Sequence, residues 1–510
     1  MNSNDELGVR VRYSTIVNYI GQLYWLVMSI LFTIIVTRKL SVEEYGLFTT
    51  IMAVFNIIVL MYNLWIFWVP RAYARGLYEN VSSAFALSLL YTPIGVAIMI
   101  IIGLEYNALL GFGLSAFTLA SLLIVSEALN RYLRGVALGS KPFINGKVLI
   151  VRGTMRVAMA YVFVVILLYK LVGAVAAIII AGFIASASYY ILLRYYGVHV
   201  PKPMVSRREF KRIFKNSYIP LLVVLSGLMG YLERPLLTVI TVSTVAAAYL
   251  GVSYIPRNIV FKSAQALASG LSAKLLRKPN RVDIEDVLRI TFILVFGMNI
   301  FLLTLSVPVL SLFREEYVNA QPLFVLFVVE SIIVALANIM ASIAMAVERK
   351  DVYFEGLALA STPLFRIPFI RLIRNTLSLV TAVIVMYLLI ISGVKDVITI
   401  TLPYPIAWLA SSIPFLYYTY REARRKIEFS IPWRELFSTL IAGVVASLYL
   451  FMTGVTSFVI KSFWADSPLL IKDVLIGIAI YAVVLYLLSP WTRAFVKKSL
   501  KYYLQGRAST

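Results

Sequence analysis

The chain has 510 residues, 61% of them hydrophobic and 14% charged, with a mean hydropathy of +0.88 and a formal net charge of +23. Soluble domains carry about 45–50% apolar and about 25% charged residues, so this composition excludes a soluble globular protein and specifies a polytopic membrane protein. The chain has no cysteine, which removes disulfides, thiolate ligands and cysteine nucleophiles, and its one histidine, His199, has no partner with which to hold a metal.

Met1 to Tyr13 is polar. The apolar segment after it is too long for a signal-peptide core and ends in Thr37-Arg38-Lys39 with no small-residue cleavage site, which makes it a first transmembrane helix. About 20 apolar residues cross a bilayer core. That length predicts helices near 14–36, 44–69, 81–104, 109–133, 144–169 and 171–193, then near 217–242, 244–270, 287–313, 320–347, 367–391 and 394–419, and last near 433–458 and 469–489. Arg194 to Lys215 separates the sixth and seventh, with seven cations against the single anion Glu209. Placing the amino terminus inside puts about three quarters of the 47 Lys and Arg residues on the cytoplasmic side, as the positive-inside rule requires. The net charge is therefore a topology signal rather than a mark of nucleic-acid binding. The expected organisation is all-α and integral to the cell (cytoplasmic) membrane, with both termini inside. A six-helix bundle spans 1–193, a basic cytoplasmic linker 194–216, a second six-helix bundle 217–420, and two further helices with a basic tail 421–510. The linker is expected to lie on the anionic inner leaflet, which attracts juxtamembrane Lys and Arg.

Two hairpins carry a family signature. The first reads Thr37-Arg-Lys-Leu-Ser-Val-Glu-Glu-Tyr-Gly-Leu-Phe48, and the second runs from Glu233-Arg234-Pro235 to Tyr249. An Arg-x-Leu-Ser-x-x-x-Tyr-Gly turn after helix 1, an acidic-basic pair near the end of helix 7 and a Tyr at the start of helix 8 resemble the polysaccharide-exporter branch of the multidrug/oligosaccharidyl-lipid/polysaccharide (MOP) exporter superfamily. These are the lipid-linked oligosaccharide flippases. The Gly that usually precedes the last Tyr is missing before Tyr249. A second echo pairs Phe143 with Tyr353 and Gly146 with Gly356, in the loops after helices 4 and 10. Halves of even helix number share one orientation, giving parallel repeats about an axis along the membrane normal. The resemblance implies alternating access around a central cavity lined by helices 1, 2, 7 and 8, with helices 13 and 14 helping to form an apolar groove for a lipid tail.

Polar residues inside membrane helices are costly and mark candidate sites. Helix 8 carries Asn258, Lys262, Gln265 and Ser269 on one face, with Arg257 beside it. Helix 1 offers Asn18 and Gln22, helix 2 Thr49, Asn56 and Asn63, and helix 5 the i, i+4 pair Arg152 and Arg156. Those two arginines lie roughly 12 and 18 Å into a helix that starts near residue 144. Interhelical hydrogen bonding or a structural ion pair is the plain alternative for each. Glu127, Glu233 and Glu330 are the candidate sites for Na+ or H+ coupling. The surplus of embedded cations suits an anionic cargo, since Arg and Lys recognise phosphate.

The expected function is flipping of a polyprenyl-phosphate-linked oligosaccharide, a precursor of cell-surface polysaccharide or glycoprotein glycan, from the cytoplasmic to the outer leaflet. Membrane lipids and other glycan-assembly membrane proteins are the expected partners. The sequence contains no Asp-x-Asp, Gly-rich phosphate loop or paired carboxylates, which argues against an enzyme and against any bound cofactor or metal. A multidrug antiporter of the same superfamily is the main alternative, and it would favour carboxylates over cations in its cavity. A membrane enzyme of glycan assembly is the lesser one, disfavoured by outer loops too short for anything but connection.

Overall fold

The computed structural model describes residues 3–215, 217–277, 280–348 and 361–497, and no strand occurs among them. Each predicted apolar segment is largely helical. The helices are α1 (Ser3–Lys39), α2 (Val42–Leu60), α3 (Tyr78–Leu110), α4 (Leu114–Ser140), α5 (Phe143–Ile166), α6 (Lys170–Tyr195), α7 (Tyr218–Thr241) and α8 (Val245–Arg277). After them come α9 (Arg281–Thr304), α10 (Gln321–Val347), α11 (Pro363–Ile391), α12 (Pro403–Lys426), α13 (Trp433–Met452) and α14 (Phe463–Leu488). Among the described residues, twelve helices are long and apolar enough to cross a membrane; α4 and α8, the carriers of Glu127 and of Arg257 with Lys262, are the long helices outside that set. The helix expected over 44–69 is continuous only to Leu60 and resumes as the short pieces Asn63–Ile66 and Val69–Ala74. Pro70, which has no N–H to continue a ladder, is in the first turn of the last of them.

The signature hairpin has a local physical cause. Ser41 caps α2 by accepting from the Glu44 amide at 3.1 Å, while the Ser41 amide donates back to Glu44 Oε2 at 2.9 Å. This reciprocal box satisfies two of the amides that open a helix end. Leu40, ahead of the cap, is fully buried.

The chain gathers into two compact units, one of residues 1–251 with 368–401 and the other of 252–367 with 402–510. In the first unit α5 packs along α1 and α6, and α7 along α2. Lipid tails are as apolar as leucine, so close backbone contact and hydrogen bonds replace the hydrophobic drive between such helices. Gly21 on α1 meets Gly146 on α5 so closely that a Cβ on either would collide with the other helix's backbone. Gly46 is held equally close to the Thr244 carbonyl, and Thr244 Oγ1 donates to the Glu43 carbonyl at 2.9 Å. Both signature hairpins therefore dock on each other, extended by Thr50–Thr238 at 3.1 Å and by Tyr106 Oη donating to the Pro235 carbonyl at 2.9 Å. In the second unit α10 packs along α12 and α13 along α14, with Leu305, Leu450, Val455, Ile460 and Leu470 forming one apolar cluster. Tyr353 and Gly356, the second half of the internal echo, lie outside the described residues.

Gly146→Val forces α1 and α5 apart, and overpacking of this kind costs about 1–3 kcal/mol. A lowered melting temperature of the purified protein in detergent is the expected outcome; an unchanged one would show that the two helices tolerate separation.

Candidate functional site

Charge in the first unit converges on Glu127. Arg131 follows it by one helical turn on α4, the spacing at which opposite charges meet, and donates from Nε to Glu127 Oε1 at 3.0 Å. Arg152 reaches across from α5 and donates from Nη2 to Glu127 Oε2 at 3.1 Å. Arg131 also donates from Nη1 to Asn63 Oδ1 at 2.9 Å. Two sequence candidates, Asn63 and Arg152, are thereby joined through a residue that sequence reading passed over, Arg131. Its i+4 distance from Glu127 was the available signal.

Arg156 stands one turn beyond Arg152 and has a different environment. Its guanidinium lies 3.8 Å from the ring centroid of Phe32 and 5.6 Å from that of Trp25, which also has Arg152 at 5.5 Å. Trp25 and Phe32, seven residues apart, share the face of α1 turned to α5. Among the described residues no carboxylate pairs with Arg156, and its buried Nε has no hydrogen-bond partner. A desolvated cation–π contact returns about 2 kcal/mol. That is below the roughly 2.5–3.5 kcal/mol or more that an arginine costs at the centre of a membrane helix. Arg131 and Arg152 share the one carboxylate of Glu127 and Arg156 has none, so the cluster is built with positive charge to spare.

In the second unit Arg257 on α8 forms a two-pronged pair with Glu330 on α10, Nε to Oε2 at 2.5 Å and Nη2 to Oε1 at 3.1 Å. Ser412 on α12 donates to Glu330 Oε1 at 3.1 Å, and Arg257 lies over the rings of Tyr254 at 4.6 Å and Trp408 at 5.3 Å. Glu330 is fully buried. The anion that Arg257 meets here is protein. Further along the same helix Asn258, Lys262 and Gln265 are exposed, forming a polar face that hydrocarbon would not tolerate. The Ser269 side chain lies outside the described residues.

The remaining candidates divide by partner. Asn18 donates from Nδ2 to the Pro142 carbonyl at 2.9 Å and accepts at Oδ1 from Asn145 Nδ2 at 2.9 Å, while Asn145 Oδ1 accepts from Tyr189 at 2.8 Å. This is interhelical joinery between α1, α5 and α6. Asn56 donates to the Met52 carbonyl of its own helix at 2.7 Å, and Thr49 is buried against the Ala247 carbonyl at 3.2 Å. Gln22 is exposed one turn from Asn18. Glu233 is buried within α7. His199 is a loop residue whose carbonyl accepts from Tyr73 Oη at 2.8 Å.

No family profile and no curated protein sequence matches this chain. Solved structures do. The lipid II flippase MurJ in its inward closed conformation superposes with a TM-score of 0.62 at 14% identity, over 95% of this chain and 99% of that one. An inward-facing multidrug resistance MATE family transporter of the MOP superfamily gives 0.59 at 14% identity, over 81% and 98%. A MOP superfamily transporter from Pyrococcus furiosus, described as having a binding pocket of reverse polarity that suggests a different function, gives 0.54 at 15% identity, over 82% and 96%. The chain has the fold of MOP superfamily transporters.

The two kinds of cation predict opposite effects on stability. Removing one partner of a buried ion pair costs about 3–5 kcal/mol, so Glu127→Gln is expected to lower the melting temperature markedly. Arg156→Leu removes a cation that has no paired carboxylate and is expected to leave the melting temperature unchanged or raised. Thermal unfolding of both variants in one detergent checks this; a steep loss in Arg156→Leu would make Arg156 a structural residue.

Proposed function

We propose that the protein is a membrane transporter that flips a polyprenyl-phosphate-linked oligosaccharide from the cytoplasmic to the outer leaflet by alternating access. The observation that carries this is the surplus of positive charge around Glu127, in which Arg156 is held by aromatic rings and no carboxylate. A phosphate or diphosphate supplies the missing anion, with Arg152 beside Arg156 to share it. The exposed face of Asn258, Lys262 and Gln265 on α8 gives a second polar surface of the kind a hydrated headgroup needs, and Gln22 on α1 adds an exposed polar side chain in the first unit. Arg257 has a standing partner in Glu330, whereas no carboxylate pairs with Arg156 among the described residues, which makes Arg156 the leading phosphate contact; Lys262 is the cation of the exposed α8 face. Asn18, Asn56 and Asn63 support the helices that carry them.

Energetics favour export of such a cargo. An anion leaving a negative interior gains about 2.3 kcal/mol per charge per 100 mV. The lipid II flippase superposes over 95% of this chain and the MATE transporter over 81%, which supports the flippase reading by extent of fold. The MATE neighbours keep organic-cation export as the second reading, and the excess of embedded cations weighs against it. Glu127, Glu233 and Glu330 remain the residues through which H+ or Na+ coupling would act.

The test is flipping of a fluorescent polyprenyl-diphosphate oligosaccharide in proteoliposomes. A hydrogen bond to a charged group contributes about 1.5–3 kcal/mol, so Arg156→Gln and Lys262→Gln are each expected to slow flipping roughly 10- to 150-fold without unfolding. Absence of flipping by the unaltered protein across several lipid-linked glycans, with export of an organic cation, would promote the antiporter reading.

A further inference from the structure

The basic segment between α6 and α7 has no part in the transport reading, yet the fold gives it a fixed place. Its helix, Arg207–Lys215, turns Glu209 and Ile213 inward, where both are buried. Asn80 Nδ2 donates to Glu209 Oε2 at 3.1 Å, the Met204 amide donates to the Ser82 carbonyl at 3.3 Å, and Tyr132 Oη donates to the Pro201 carbonyl at 2.6 Å. The segment is thus fastened to the ends of α3 and α4. Its outer face carries Arg207, Arg208, Lys211, Arg212 and Lys215, all exposed. Tyr73, in the loop that joins α2 to α3, donates to the His199 carbonyl at 2.8 Å, and that loop adds the exposed Arg71 and Arg75 to the same end of the unit. Glu79, in the first turn of α3, is the exposed acid beside them, whereas Glu209 is buried with Arg212 at 3.9 Å.

We propose that the linker helix and the α2–α3 loop form a docking surface for the anionic headgroups of the inner membrane leaflet. Charge complementarity alone would also fit an acidic protein or a nucleic acid. Two observations select the lipid surface. Large apolar side chains interrupt the cations, with Phe214 53% and Val205 70% exposed, and an interfacial helix pairs such residues with Lys and Arg by sinking the apolar ones to the headgroup–acyl boundary. The segment is also tethered at both ends to helices that are long and apolar enough to cross the membrane, so the surface it can reach is the bilayer's own. An anionic leaflet attracts juxtamembrane Lys and Arg over about a Debye length. This inference rests on the inside placement of the linker used above and not on the cargo.

The absence of cysteine makes the test direct. Phe214→Cys introduces the only thiol, which can carry an environment-sensitive fluorophore in the full-length protein reconstituted in phosphatidylcholine vesicles with or without phosphatidylglycerol. The expected result is blue-shifted emission shielded from an aqueous quencher when phosphatidylglycerol is present. The shift should weaken in phosphatidylcholine alone and at high salt, and be lost when Arg207, Arg208, Lys211, Arg212 and Lys215 are all replaced by Gln. Should that variant fail to fold, Lys211→Gln with Lys215→Gln and the salt series on the otherwise unaltered protein carry the same comparison. Equal emission in both lipid mixtures, or a shift produced by acidic peptide or RNA in place of lipid, would overturn the proposal. The readout needs no flipping, so loss of the transport reading leaves it standing.

Discussion

Glu127 holds two arginines whose charges are costly within a membrane-embedded bundle. One carboxylate has two oxygens, and here each is taken by a different guanidinium, Arg131 from its own helix and Arg152 from α5. That sharing ties α4 to α5 and, through Asn63, to the chain beyond α2. It also exhausts the carboxylate, so Arg156 rests on the face of α1 with the quadrupoles of Phe32 and Trp25 as partial compensation. A cluster tuned for stability alone would end with charges matched. This one stops short, and natural sites that give up stability in this manner are commonly those that complete themselves with a ligand.

The second unit meets the same constraint differently. Arg257 and Glu330 form a two-pronged pair, the geometry in which guanidinium and carboxylate fit best, and Ser412 satisfies a further lone pair. Glu127 stands on α4 and Glu330 on α10, and each is met by an arginine from another helix.

Much of this was legible in the sequence, because a run of about 20 apolar residues has few options in a bilayer. Most helices appear where hydropathy put them, the segments over 44–69 and 287–313 being broken after Leu60 and Thr304, and α4 and α8, which carry charged candidate residues, fall outside the twelve that are long and apolar enough to cross a membrane. The local pairing of Glu127 with Arg131 obeys helical spacing and was readable. Arg257 with Glu330, 73 residues apart in the chain, was not, since no periodicity links two separate helices. For the same reason Asn18 looked like a cavity residue: a polar residue in a membrane helix announces that it has a partner without saying whether the partner is a ligand or Asn145. The Tyr-Gly turn was visible as a pattern, while its cause, the approach of Gly46 to the Thr244 carbonyl, needed the fold.

The chain passes between the units at three points, 251–252, 367–368 and 401–402. Each lies at or close to a proline: Pro256 inside α8, Pro368 inside α11 and Pro403 in the first turn of α12. Within a helix a proline deletes one backbone hydrogen bond and crowds the preceding turn, so bending there breaks less than it would elsewhere. Pro256 immediately precedes Arg257, which puts the weakened turn of α8 next to the Glu330 ion pair. The proline thus removes a backbone hydrogen bond next to the residue that makes the Glu330 ion pair.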